Sequence, residues 1–63
     1  MSGLDRYILK ELDRQRIDSK DISVIFSKLK NLETKNKFLN YLLEKRNVLL
    51  LPNEIIKYMC QEL

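Results

Sequence analysis

The sequence predicts an all-α fold: a small bundle of about four short helices, arranged as two packed helical hairpins in a single domain over residues 1–63. Three observations lead there. The 63 residues include one glycine and one proline, so nearly every turn is made without the two residues that most readily break helices. Apolar residues recur at three- and four-residue spacing over separate stretches, as one face of a helix requires. Between those stretches the connections are short.

The first helix is predicted over residues 4–14. Leu4, Ile8 and Leu12 repeat every fourth position, Leu9 widens the stripe and Tyr7 flanks it. The opposite face carries Arg6, Lys10 and Arg14, a basic stripe that reads either as a solvated helix back or as a contact for phosphate or an acidic partner. Gln15, Arg16 and Ile17 form the break. Asp18 or Ser19 can then accept from free amides as an N-cap, with Asp21 suited to the positive first turn.

The second helix is predicted to reach about residue 31. Ile22, Ile25, Phe26 and Leu29 set its core stripe, Leu32 extends it and Val24 points away. Thr34 caps a third helix over residues 35–47, in which Phe38, Leu39, Leu42 and Leu43 face inward and Tyr41 lies at the edge. The next four residues, Val48, Leu49, Leu50 and Leu51, are all apolar and cannot all face one way. Pro52 is welcome at a first helical position, so a fourth helix runs from there to the end. Ile55, Ile56, Met59, Cys60 and Leu63 form its apolar arc, and Tyr58 is expected on the far side.

A shift of about 33 positions lays Ile17 on Leu50, Asp21 on Glu54, Ile22 on Ile55 and Phe26 on Met59. Both halves then read as helix, apolar connector, acidic first turn, helix. The stretch 38–59, with its aromatic start, the run Leu-Pro-Asn-Glu-Ile and the finish Lys-Tyr-Met, resembles the helical hairpin by which Sin-type bacterial repressors and antirepressors dimerise. The likeness covers about a third of the chain. Lys45 and Leu49 stand where that hairpin usually has alanine and glycine or asparagine. The resemblance implies an oligomer built from helical hairpins.

Composition removes whole classes of chemistry. There is no histidine, so the usual proton shuttle at neutral pH is missing. Cys60 is the only cysteine; it can form no disulfide within the chain and no structural zinc set, and it reads as a small buried hydrophobe. One glycine excludes phosphate-cradling and dinucleotide loops. Glu11 with Asp13, and Asp18 with Asp21, read as surface acids and a capping arrangement. No catalytic role, cofactor, metal or small-molecule substrate is expected. The longest apolar run falls far short of the ~20 residues that span a bilayer, and no signal-peptide core is seen, so a cytoplasmic protein without membrane contact is expected.

A non-enzymatic interaction module is the leading expectation: a small regulatory or adaptor protein that associates with itself, as a homodimer, or with another protein. A chain this short has a small core and no staples, and residues 48–63 offer more apolar surface than a connector and one helix need. Leu49, Leu50, Ile56 and Met59 are the expected anchors. The alternative is a DNA-binding helix-turn-helix, with the turn at residues 32–34 and with Lys35, Asn36, Lys37 and Asn40 reading the major groove. The net charge of +3 permits nucleic acid without demanding it. Glu44 on that face and the absence of arginine there weigh against it. The core is expected to centre on Phe26, Leu29, Phe38 and Leu42.

Overall fold

Four helices follow one another, α1 (Gly3–Arg14), α2 (Ser19–Lys28), α3 (Leu32–Glu44) and α4 (Pro52–Glu62), in a computed structural model that describes residues 2–63. The all-α bundle read from the helical spacing is the observed fold. Three of the four helix starts follow the residues that the sequence marks; the exception is α3.

Ser2 caps α1, its hydroxyl accepting from the Asp5 amide at 3.2 Å. The helix stops without glycine. Ile17 N–H donates to the Leu12 carbonyl at 3.2 Å and Arg16 N–H to the Asp13 carbonyl at 3.0 Å, the paired bonds of a Schellman motif. Arg16 occupies the left-handed position with φ 60°, and the apolar contact that accompanies such a stop comes from Leu12 and Ile17, both buried. An L-residue with a Cβ is strained in this conformation. Arg16→Gly is therefore expected to stabilise the fold by ~0.5–1 kcal/mol. Thermal unfolding would register this as a melting temperature several degrees higher, and an unchanged or lower value would show that Arg16 is held by something other than the helix stop.

The second helix ends at Lys28, three residues before the sequence reading placed its end. Leu29 leaves the helix with φ −91° and ψ 94° and turns into the core, where it is buried. This frees Asn31 to cap α3. Asn31 Oδ1 accepts from the Thr34 amide at 2.9 Å, and Thr34 Oγ1 accepts from the Asn31 amide at 3.4 Å, a reciprocal box that satisfies two otherwise unpaired donors. Thr34 is thus inside α3 rather than its cap, and the helix opens at Leu32, not at residue 35. It also closes early, at Glu44, where residues 45–47 turn with the Val48 amide donating to the Lys45 carbonyl at 3.0 Å. Pro52 takes the first position of α4 as expected.

The closest helix packings run between the halves: α1 lies on α3 and α2 on α4. Ile8 and Leu12 of α1, Ile25 of α2, Phe38 and Leu42 of α3 and Ile55 of α4 are fully buried. Ile8, Leu12, Ile25 and Leu29 in the first half correspond to Phe38, Leu42, Ile55 and Met59 in the second, each thirty positions later and each buried. The register of the core is therefore thirty. The expected shift of 33 matches the connectors, where Ile17 and Leu50 are both buried, because the second connector is longer than the first. The main helix partner of α3 is α1, so the hairpin likeness of residues 38–59 does not extend to close pairing of α3 with α4. The radius of gyration, 10.4 Å, is that of a well-packed chain of this length, for which about 10.6 Å is expected.

Four side chains depart from their expected places: Leu32, expected to extend the core stripe of α2, opens α3 and is exposed because α2 has already ended at Lys28, and three others are displaced by the packing. Phe26 is half-buried, because Ile25, one position earlier, points at α4 and takes the centre of the α2 face. Tyr58 is not on the far side of α4; its ring stacks on Tyr41 with centroids 3.8 Å apart and an interplanar angle of 10°. Cys60 is exposed, since Met59 and Ile55 supply the inward positions of α4.

Candidate interaction surface

The site begins with two polar residues on the core face of α1. Leu4, Ile8, Glu11 and Gln15 continue one helical stripe, and Glu11 and Gln15 are as buried as the apolar residues around them, at 2% and 5% exposure. Burying such groups is costly unless they are bonded. Glu11 receives Arg46 bidentately, Nε to Oε1 at 3.3 Å and Nη2 to Oε2 at 2.7 Å, and the carboxylate raises the Arg46 pKa. Arg14 Nε approaches the same carboxylate at 3.6 Å. Glu11 is thus a buried partner of the α3–α4 connector, where the sequence reading had a surface acid.

Gln15 holds that connector by its backbone. Its amide nitrogen donates to the Lys45 carbonyl at 3.0 Å, and its Oε1 accepts from the Leu50 amide at 2.8 Å. One side chain at the end of α1 therefore clamps both ends of residues 45–50. With Leu50 fixed by its amide and extended backbone alternating side chains between faces, Leu50 is turned into the core at 4% exposure. Val48, Leu49 and Leu51 stand in solvent at 53%, 69% and 55%.

Beside this connector lies a cleft of about 510 Å³ floored by Tyr41, Leu50 and Tyr58, with Val48 on its wall. Its edge carries Lys45 and Lys57 together with Glu54 and Glu62. Burial, reinforced by Glu54 for Tyr41 and by Glu62 for Tyr58, pushes both phenols above their ordinary range, so both stay neutral donors across the physiological range.

Of the four anchors expected from the sequence, Leu49 alone is exposed. Leu50 and Met59 are core residues and Ile56 is half-buried; the inward turn of the connector and the α2–α4 packing take them. Val48 and Leu51, part of the apolar run read from the sequence but not among its four anchors, are exposed beside Leu49. Alternation about an inward Leu50 accounts for Leu49 and Leu51, whereas Val48, two positions before Leu50, closes the turn over residues 45–47 and is exposed there.

The alternative set lies on one helix, α3, but one of its four members is engaged elsewhere. Asn36, Lys37 and Asn40 are exposed on α3, but Lys35 is half-buried with its ammonium 3.0 Å from Asp5 Oδ1. The turn before α3 lies at residues 29–31 rather than 32–34, and α3 packs chiefly on α1 instead of α2. The Lys35 ammonium, aided by Ser2, holds the Asp5 carboxyl below its ordinary value of 3.8. A lowered aspartate pKa contributes stability that is complete above the unfolded value and is lost as pH falls through the folded one. Lys35→Gln is expected to raise the Asp5 titration midpoint toward the ordinary value and to shrink the acid-side loss of stability. Carboxyl carbon NMR titration would detect this, and an unmoved midpoint would mean that Lys35 does not set it.

Comparison of the chain with protein-family models, with curated proteins and with solved structures gives no match. The functional reading therefore rests on this surface alone. Among the described residues no helix is long and apolar enough to cross a membrane.

Proposed function

We propose that the chain is a non-enzymatic interaction module that associates with a second copy of itself through the face formed by Val48, Leu49, Leu51 and the adjoining cleft. The observation that carries this reading is the clamp. Three large apolar side chains stand in solvent on a connector whose backbone is fixed by Gln15 and whose Arg46 is fixed by Glu11. A preorganised apolar segment loses little conformational freedom on binding, which favours its use as a contact.

The charges at the rim favour a second copy over other occupants. Two lysines and two glutamates surround the cleft, so the rim is neutral although the chain is basic. An isologous two-fold contact can set Lys45 or Lys57 of one copy against Glu54 or Glu62 of the other. Duplex DNA or an acidic peptide would meet glutamates there.

Leu49→Asp places a charge on the desolvated contact while leaving the fold untouched, because Leu49 is outside the core. Sedimentation is expected to give a dimer for the parent and a monomer with unchanged circular dichroism for the variant. A parent that stays monomeric at high micromolar concentration would refute self-association. Tight, steeply salt-dependent binding to random-sequence duplex DNA would instead favour the helix-turn-helix reading.

A further inference from the structure

A second site, which shares the Glu11–Arg46 pair with the clamped connector but none of its exposed apolar side chains, lies where α1 meets the turn after α3. Tyr7, Lys10, Glu11, Arg14 and Arg46 line a groove of about 220 Å³. We propose that this groove binds a phosphomonoester group. Three cationic side chains converge on it and one carboxylate belongs to it, leaving a net charge of +2 from Lys10, Arg14 and Arg46 less Glu11. That matches the charge of roughly −1.5 to −2 on a phosphomonoester at neutral pH.

The buried carboxylate arranges the cations rather than cancelling them. Glu11 retains only 3% side-chain exposure and lies behind the guanidinium groups, whereas the side chains of Arg14 and Arg46 are 54% and 44% exposed. Arg46 spends its Nε and one Nη2 hydrogen on Glu11, so its Nη1 edge keeps the donors of a planar fork, the geometry that suits a phosphate. Arg14 approaches Glu11 only through Nε, leaving both of its terminal nitrogens. Arg46, already held by two hydrogen bonds in the free protein, loses less conformational freedom on binding an anion than a mobile side chain would. The carbonyls of Leu12 and Asp13 at the end of α1 are occupied by the Ile17 and Arg16 amides, so these two acceptors do not compete for the arginines. The groove, about 220 Å³ and open to solvent on one side, has room for a phosphate head group.

The basic stripe of α1 supplied part of this site in sequence. Arg46, and its pairing with the carboxylate of Glu11, came only with the fold.

The test is a titration of the labelled protein with inorganic phosphate, O-phosphoserine and dimethyl phosphate at constant ionic strength, followed by backbone and arginine side-chain NMR. Saturable shifts confined to Tyr7, Lys10, Glu11, Arg14 and Arg46 are expected with the first two compounds. O-phosphoserine binding more tightly would place the phosphate on a side chain, and equal affinities would point to free phosphate. Lys10→Gln and Arg14→Gln, neither of which touches the core, should each weaken binding about tenfold with the fold intact. Lys20→Gln on α2 should leave it unchanged. Shifts that do not saturate, an equal loss in Lys20→Gln, or dimethyl phosphate binding as well as the monoesters would overturn the assignment.

Discussion

Phe38→Ala is expected to leave the chain largely unfolded at body temperature. Phe38 is the largest fully buried side chain and sits on the α3 face that packs against α1. Truncating a buried phenylalanine costs ~3–5 kcal/mol, of which part is lost transfer energy and part the cavity left behind. A domain of this length holds roughly 3–9 kcal/mol in total at the usual stability per residue, so the loss consumes much or all of it. Urea unfolding followed by circular dichroism measures the effect directly. A variant with a cooperative transition near that of the parent would place Phe38 outside the core.

Phe26→Ala supplies the internal comparison. Phe26 is half-buried, and its loss removes less apolar contact and leaves an indentation rather than a cavity, so the cost should fall to ~1–2 kcal/mol. From sequence the two phenylalanines are equivalent, each on the apolar arc of its helix. The difference arises because the α2 arc is wide, with Ile22, Ile25, Phe26 and Leu29 on it, and only the packing of α2 on α4 decides that Ile25 faces the centre. Helical periodicity tells which side of a helix is buried and leaves the rotation within that side to tertiary contacts.

The same limit explains what was legible elsewhere. Ile8 and Leu12 of α1, Phe38 and Leu42 of α3 and the start of α4 at Pro52 follow from local spacing and from the fixed φ of proline. The end of α2 does not, because Leu29 leaves the helix to fill the core and nothing local stops it at Lys28. Asn31 as a cap was readable only with that stop known, since until then it lies within the apparent helix. At the connector, the opposition of Leu49 and Leu50 is a property of extended backbone, but which of them turns inward is set by a side chain thirty-five residues away. Glu11 and Gln15 carried a readable signal: both stand at core spacing after Leu4 and Ile8. A charged residue in such a stripe implies a buried partner, and only the fold identifies that partner as Arg46.

The clamp itself yields the second large effect. Gln15→Met keeps the length and apolar stem of the side chain while removing both bonds to the connector. It leaves the Leu50 amide, which is buried, without an acceptor, and the Lys45 carbonyl, nearer to solvent, with water as its replacement. One unsatisfied buried amide costs ~1–3 kcal/mol, so a loss of about 2 kcal/mol is expected, a large fraction of the reserve. Hydrogen exchange separates the clamp from a general loss of packing. The Leu50 amide should lose its protection disproportionately in Gln15→Met, while amides within α1 and α3 exchange faster only as far as the loss of global stability dictates. Gln15→Glu sharpens the contrast, because its carboxylate can still accept from the Leu50 amide but sets an oxygen against the Lys45 carbonyl, and protection at Leu50 should survive with stability reduced. Self-association should weaken in Gln15→Met even though Gln15 is buried and touches no partner, since the clamp is what holds Val48, Leu49 and Leu51 in place. If Leu50 remains as protected in Gln15→Met as in the parent, the connector is held by its apolar contacts alone, and the preorganisation argument for the interaction face fails with it.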